Sequence, residues 1–532
     1  MDQSGPSLNL LNGLLAASPI GVLLVSLLVL RWSAPKAGAL SWLVVAVIAF
    51  VYFGADARII AIASAKGLSL SFFVLTIIWS SVLLYNLIDQ LDGIKVIGTT
   101  IAHLVGNPLA QALVVGWAFS GFMQGVAGFG VPVAVVAPLL VLMGFQPVKA
   151  AAIVLVGHAW AVSFGSLGSS YYTIQLVTGI EGDVIGPHMA ILFVVPIIMT
   201  GFAVAHLEGG LMAVRRGALG ILIMGGVMAM SVWLLASLGA AQIASLVPGL
   251  VGCGVGWLLA RTSLLGKAVE RDARIKVTAV ELQSLSENKL GFHLAFLPYY
   301  LLILLSILSQ LPVVKDISAN WYWGLDYPAM ETALGFVTES KGDYGKIRFL
   351  RHPAPLILLS LAASSVTLLA IGKWRDRALI SALKQTYVQS ISTSVGIGTM
   401  VMMALVMTDT GMTTLLGQAI AAGTGDAFPL FSPYIGLLGT FMTGSNTNSN
   451  IMFGSLQLET ATSLNISAVT IASIQSIGGS LGSSIAPAKV LVGTAIVGLS
   501  GRESEVLRRT IPYCLAIVFL VGLQAWLLIY VF

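Results

Sequence analysis

Charge is what this chain lacks most. Asp, Glu, Lys and Arg make up 9% of its 532 residues, against about 25% in an ordinary soluble domain. That deficit, with 57% hydrophobic residues and a mean hydropathy of +0.94, excludes a globular domain on a single anchor and implies a polytopic membrane protein. Cysteine is almost absent too. Cys253 and Cys514 both lie in apolar runs, so neither a disulfide framework nor a metal site is expected. The signatures H-E-x-x-H and C-x-x-C and the Walker A sequence are missing, and no pair of acids and a histidine shares a helix face within the membrane. Nothing therefore points to an enzyme or to a cofactor. The N-terminal MDQSGPSLN has no basic segment ahead of the first apolar run, so no cleavable signal is expected. The net charge of +5 is assigned to cytoplasmic loops rather than to nucleic-acid binding.

What the chain has instead is a polar island. Leu437 to Gly454 reads LLGTFMTGSNTNSNIMFG, and Gly444 to Asn450 in its middle are all small or polar. Unpaired amides and backbone groups in hydrocarbon cost several kcal/mol each, so such a stretch must be buried in protein or line a wet cavity. It is read as the tip of a re-entrant hairpin that holds a small solute. A second copy lies upstream: Phe122, Met123 and Gly125 match Phe441, Met442 and Gly444. The hexapeptide G-S-L-G-S-S also occurs twice, at Gly165–Ser170 and Gly479–Ser484, in the same order and at nearly the same offset. The chain is therefore read as an internal duplication.

Apolar runs of spanning length fall near 8–30, 39–54, 68–88, 148–180, 187–206, 217–238, 242–260, 291–311, 354–372, 385–407, 466–498 and 510–532, about twelve candidate transmembrane helices. The second is short and is expected to continue as a surface helix through Arg58 and Lys66. The fourth and eleventh are too long for one straight helix, and each contains G-S-L-G-S-S, which favours an unwound break between half-helices. The expected fold is all-α and polytopic. The first repeat is 1–206, with a hairpin at 108–143 and a broken helix at 148–180. A two-helix insert at 207–261 and a charged cytoplasmic loop at 262–290 follow. The second repeat is 291–532, with a hairpin at 428–464 and a broken helix at 466–498. An odd number of spans separates each span from its mate, so the repeats are expected to be inverted. Of 27 basic residues, 19 fall in one set of alternate loops and seven in the other. The richer side is cytoplasmic by the positive-inside rule, which places both termini outside. The long loop 312–353, with Trp321, Tyr322 and Trp323, is then external.

Tips and breaks bring together the groups a small carboxylate needs: hydroxyls, amides and the free N–H groups of half-helix N-termini. Gln124, Gly125, Gly128 and Gly130 supply the first tip, and Ser445, Asn446, Thr447 and Asn448 the second. Ser166, Ser169, Ser480, Ser483 and Ser484 supply the breaks. Small residues that merely permit close helix packing are the alternative. Lys489, five residues past Ser484, is the one basic residue placed within a span; it is either a counter-charge to an anion or a buried acid's partner, or it snorkels to the interface. His158 can relay a proton or simply bond a backbone carbonyl. Asp409 and Glu459 are either protonatable carboxyls or solvated residues beside a vestibule.

The segments GFMQGVAGFGVP at 121–132, GHAWAVSFGSLG at 157–168 and TGSNTNSN at 443–450 resemble the lactate permease family, which includes glycolate permeases. The resemblance runs from about Trp79–Asn86 to Gly498–Glu503. It implies uptake of L-lactate, D-lactate or glycolate with protons across a bacterial or archaeal inner membrane. It also implies membership of the wider ion-transporter superfamily, in which Ser-Asn-Thr motifs at two tips accompany an elevator motion of a transport domain against a scaffold, here expected to form a homodimer. Ser445-Asn446-Thr447 fits that pattern; Val126-Ala127-Gly128 departs from it, which favours protons over sodium. A sodium symporter and a carboxylate channel are the rival readings.

Overall fold

The computed structural model describes residues 9–128, 130–262, 264–265 and 290–531. They form an all-α, multi-pass membrane protein. Among them eight helices are long and apolar enough to span a bilayer, or ten if each sharply bent pair counts as one span. The count falls below twelve because not every crossing is one long, separate helix. Several crossings are built from short pieces, such as Val131–Leu142 and Leu246–Ala260. The spans expected at 187–206 and 217–238 form as two arms of the run Val194–Ser237, which breaks at Gly209–Gly210, where the backbone is non-helical, and folds back so that Ile198 packs against Gly225. The connector expected at 262–290 lies almost wholly outside the described residues.

Two helical hairpins form at the polar tips. In the first, the arm Pro108–Val126 is widened into π-helix over Ala112–Phe119 and is followed by Val131–Leu142, entered through Gly130 at φ 86°. In the second, Phe428–Thr443 turns through Gly444, at φ 73°, into Asn446–Ser463. Both turns need a left-handed backbone, which glycine adopts at no steric cost. Two interrupted helices accompany them. Pro147–Gly157 stops at His158 and the chain resumes at Gly165–Thr178, bent by 48°. Ser166, Leu167 and Gly168 there all have positive φ, and two such non-glycine residues in succession persist only under strong surrounding contacts. Ala468–Gly482 likewise ends at Ser483–Ala486 before Pro487–Ile496.

The broadest helix pairing joins Ala57–Gln90 to Ala378–Asp409. These helices run antiparallel, joined by polar rungs: Trp79 Nε1 donates to Ser394 Oγ at 2.9 Å, Asn86 Nδ2 to Thr386 Oγ1 at 3.0 Å, and Gln90 Nε2 to Gln385 Oε1 at 3.2 Å. Gly67 lets the backbones meet, since a Cβ there would lie 2.8 Å from Met402 Cα. The last rung corrects the sequence reading. Lys66 is not on a surface helix: the helix starts at Ala57, capped by Asp56, and Lys66 sits buried in its third turn. Its Nζ donates to Asp409 Oδ2 at 2.9 Å, with side chains 3% and 4% exposed. Lys489 is therefore not the sole basic residue inside a span, and Asp409 is an ion-pair partner rather than a solvated group.

The expected external loop 312–353 is also more ordered than a loop. It folds into a short helix, Pro312–Ala319, and two small antiparallel pairs, Tyr322–Tyr327 with Lys341–Arg348 and Met330–Glu331 with Val337–Thr338. Its aromatic and β-branched residues suit a half-buried pleated surface. It docks on the antiparallel pair through the hydroxyls of Tyr327 and Ser69, 2.6 Å apart, and through Thr338 Oγ1, which donates to the Asp409 carbonyl.

Removing one partner of a buried ion pair leaves an uncompensated charge, at about 3–5 kcal/mol. Asp409→Ala is expected to lower the thermal unfolding midpoint in detergent strongly, and Lys66→Met combined with Asp409→Leu to recover most of it. If the single variant melts with the wild type, the pair does not hold the helices together.

Candidate functional site

The tips and breaks meet in one buried polar network. A break exposes backbone N–H groups that a continuous helix would satisfy, and here the other half of the chain satisfies them. Ser480 Oγ accepts from the Val162 and Ser163 N–H groups at 3.2 Å each and donates to the Ala159 carbonyl at 2.6 Å. Ser163 Oγ lies 2.9 Å from Ser476 Oγ. Asn446 Nδ2, at the second tip, donates to Ser163 Oγ and to the Ser476 carbonyl, both at 3.1 Å. Asn450 Nδ2 donates to the Ser170 carbonyl and to Ser476 Oγ, both at 3.0 Å. Thr447 and Ser170 hydroxyls are 3.0 Å apart. Ser445 caps the helix behind the tip, accepting from the Asn448 N–H.

Asn448 is placed differently. It is buried, yet its side chain makes no hydrogen bond among the described residues, and its Oδ1 has no partner. The Oδ1 atoms of Asn446 and Asn450 and Oε1 of Gln124 are likewise buried without a donor. The first tip meets the first break directly: a side chain at Gly128 would collide with Ser166 Oγ, and one at Gly165 would lie 2.8 Å from Gln124. Gly125 instead faces the Leu246 backbone, outside the network. Ser169 and Ser484 are buried beside the breaks, with Ser484 Oγ turned back to the Leu481 carbonyl.

His158 ends its half-helix fully buried. Its Nδ1 is 2.7 Å from the Val154 carbonyl and its Nε2 is 3.5 Å from Ser483 Oγ. A neutral ring protonated at Nδ1 satisfies both atoms. Lys489 occupies the first turn of Pro487–Ile496 and is 5% exposed. Its neighbours touch both tips: Ala488 approaches Gly444, and Val492 approaches Gly130. Among the described residues no carboxylate lies within ion-pair distance of it; the four ion pairs involve Lys66, Lys346, Arg375 and Arg502.

Asp409 and Glu459 lie apart from this centre. Both line a cavity of about 970 Å³ bounded by Lys66, Tyr172, Gln175, Arg351 and the β segment. Asn446, Thr447 and Asn448 do not border it. Sequence reading missed Ser163, Ser170, Asn450 and Ser476. The first three stand inside the quoted motifs but carry the same residue types as their neighbours, so only the fold separates them.

Gly479 tests the network. A Cβ there would overlap Asn446 Oδ1 and come within 2.9 Å of Thr440 Oγ1. Gly479→Ala is expected to destabilise by roughly 1–3 kcal/mol, the usual penalty of overpacking. Gly226→Ala, which meets nothing within 4 Å, should not. Equal melting temperatures for both would overturn this reading.

The description "L-lactate permease" belongs to the family that matches residues 12–532. The glycolate permease GlcA of Escherichia coli is 27% identical to this chain over 546 residues, covering 98% of it and 96% of GlcA. An L-lactate permease of Bacillus subtilis is 28% identical, covering 98% and 97%. The solved YdaH transporter of Alcanivorax borkumensis aligns at 14% identity and a TM-score of 0.42, over 86% of this chain and 84% of that one. Matched from residue 12 to its last, the chain belongs to the L-lactate permease family.

Proposed function

We propose that the protein is a secondary active transporter that carries L-lactate, and with it D-lactate and glycolate, across a bacterial or archaeal inner membrane in symport with protons. The observation that carries this reading is the buried polar centre, where a buried lysine without a carboxylate partner among the described residues, Lys489, lies beside the two tips and two breaks. A small 2-hydroxycarboxylate fits that chemistry. Its carboxylate takes the ammonium of Lys489, in the N-terminal turn of Pro487–Ile496. Its 2-hydroxyl takes the uncommitted amide of Asn448. Gln124, Gly128 and Ser166 form the opposite wall, while Asn446, Thr447, Ser480 and Ser483 hold the breaks in shape. Family membership and the permease names of the relatives support the substrate class.

The hairpins and broken helices form the transport domain in this proposal, and Ala57–Gln90 with Ala378–Asp409 form the core of the scaffold, dimeric through its outer face. With Lys66 moved from the external loops into a helix, the basic residues still crowd one side, so that side is cytoplasmic and the cavity beside the β segment opens outward. One observation favours a second reading, sodium symport: the buried oxygens of Asn446, Asn448 and Asn450 lack donors and are hard ligands of the kind alkali cations take.

Labelled L-lactate uptake into proteoliposomes separates these readings. Proton symport predicts accumulation that needs an inward pH gradient, ignores sodium and collapses with a proton ionophore. Dependence on sodium would move the coupling site to the second tip, and equilibration without accumulation would make the protein a channel. Asn448→Ala is expected to raise the apparent transport constant roughly tenfold, about the value of one lost hydrogen bond. Asn446→Ala, which opens the network, should abolish uptake while the protein still inserts. Unchanged uptake in both variants would overturn the site.

A further inference from the structure

We infer that Lys489 is itself the coupling group: its amine takes up one proton as the substrate carboxylate binds, so that anion and proton cross as a neutral pair. The inference rests on the carboxylate-transport reading above. It starts from the contrast between the two lysines buried among the helices. Lys66 is paired with Asp409 at 2.9 Å. Lys489 is also deeply buried and has no acid beside it among the described residues. Desolvation favours the uncharged form of an isolated amine, and an incoming carboxylate reverses that preference. Binding of one therefore calls for binding of the other.

Among the described residues the surroundings offer no competing partner. Val131–Leu142, packed against the Lys489 helix, has no titratable residue. On the preceding half-helix, Lys149 donates to the Glu208 carbonyl and His158 has both ring nitrogens engaged. On Glu503–Tyr530, Glu503 accepts from Thr494 and Gly501, Glu505 pairs with Arg502, Tyr513 bonds His206 and Cys514 donates to the Leu481 carbonyl; Arg508 and Arg509 are exposed. On Phe428–Thr443, Tyr434 donates to Leu515. The two candidate acids belong elsewhere: Asp409 pairs with Lys66, and Glu459 faces the cavity.

The balance is simple. The neutral amine and a proton give an ammonium; the ammonium and a carboxylate give an uncharged occupied site. Departure of the carboxylate leaves the ammonium uncompensated, and the proton follows. The empty site is uncharged as well, so neither half of the cycle moves net charge and the ratio is one to one.

The test uses the full-length protein, purified in weakly buffered detergent with a pH indicator, and L-lactate as the probe. Wild type is expected to take up one proton per lactate bound near neutral pH. Lys489→Arg keeps a permanent charge; it should retain lactate binding and take up no proton. Glu459→Gln should leave the proton count as it was. Proton uptake that persists in Lys489→Arg, or that vanishes in Glu459→Gln, would overturn the inference. If Lys489→Arg fails to bind, the wild type decides in proteoliposomes: uptake should ignore a potassium–valinomycin potential, and uptake driven by that potential would overturn a one-to-one neutral cycle. Failure of the wild type to bind any lactate would instead sink the carboxylate reading beneath it.

Discussion

Everything at the centre of this molecule follows from one constraint: a helix interrupted inside a membrane must find partners for its freed N–H and C=O groups within the protein. The chain meets it with serine. Ser480 closes the first break by accepting two N–H groups and donating to a carbonyl, and Ser163, Ser476 and Asn446 extend that contact to the second tip. Serine suits the task because one small hydroxyl is both donor and acceptor and leaves room for close backbones. Once this network forms, the tips are buried, and Asn448, Lys489 and Gln124 are among the polar side chains left with uncommitted atoms beside it.

A different solution holds the outer helices. There the backbones are continuous, and specificity comes from side-chain rungs spaced along an antiparallel pair, ending in Lys66–Asp409. A buried ion pair adds little net stability but heavily penalises a shifted register, because each charge would then be left alone. The β segment seals the end of this pair, and its contact with the Asp409 carbonyl joins the wall of the cavity to the rigid helices.

The membrane class and the family were legible because both are carried by composition and by long local motifs. The polar residues 444–450 stood out for the same reason: nothing in hydrocarbon explains them. Lys66 was not legible. It lies near the start of a run that looks interfacial, and its partner is 343 positions away. The two arms of Val194–Ser237 were legible because Gly209–Gly210 and Arg215–Arg216 interrupt the apolar run where the chain turns back. Within the site, residue type alone could not tell a serine that caps a break from one that faces the centre. Asn446 and Asn448 stand two residues apart with the same side chain; only the fold shows that one is engaged and the other is not.

The caps of the first break come from Ser480, which lies 318 and 317 residues along the chain from the N–H groups it accepts. During synthesis the first half therefore enters the bilayer with its break uncapped and waits for the second half to emerge. Until then its freed N–H groups must be met by water, lipid headgroups or an assisting protein. The polar centre is consequently among the last parts to form. A chain cut short before Ser480 would keep its apolar helices yet lack the contact that makes the first half complete, which gives the membrane's quality control a definite defect to recognise.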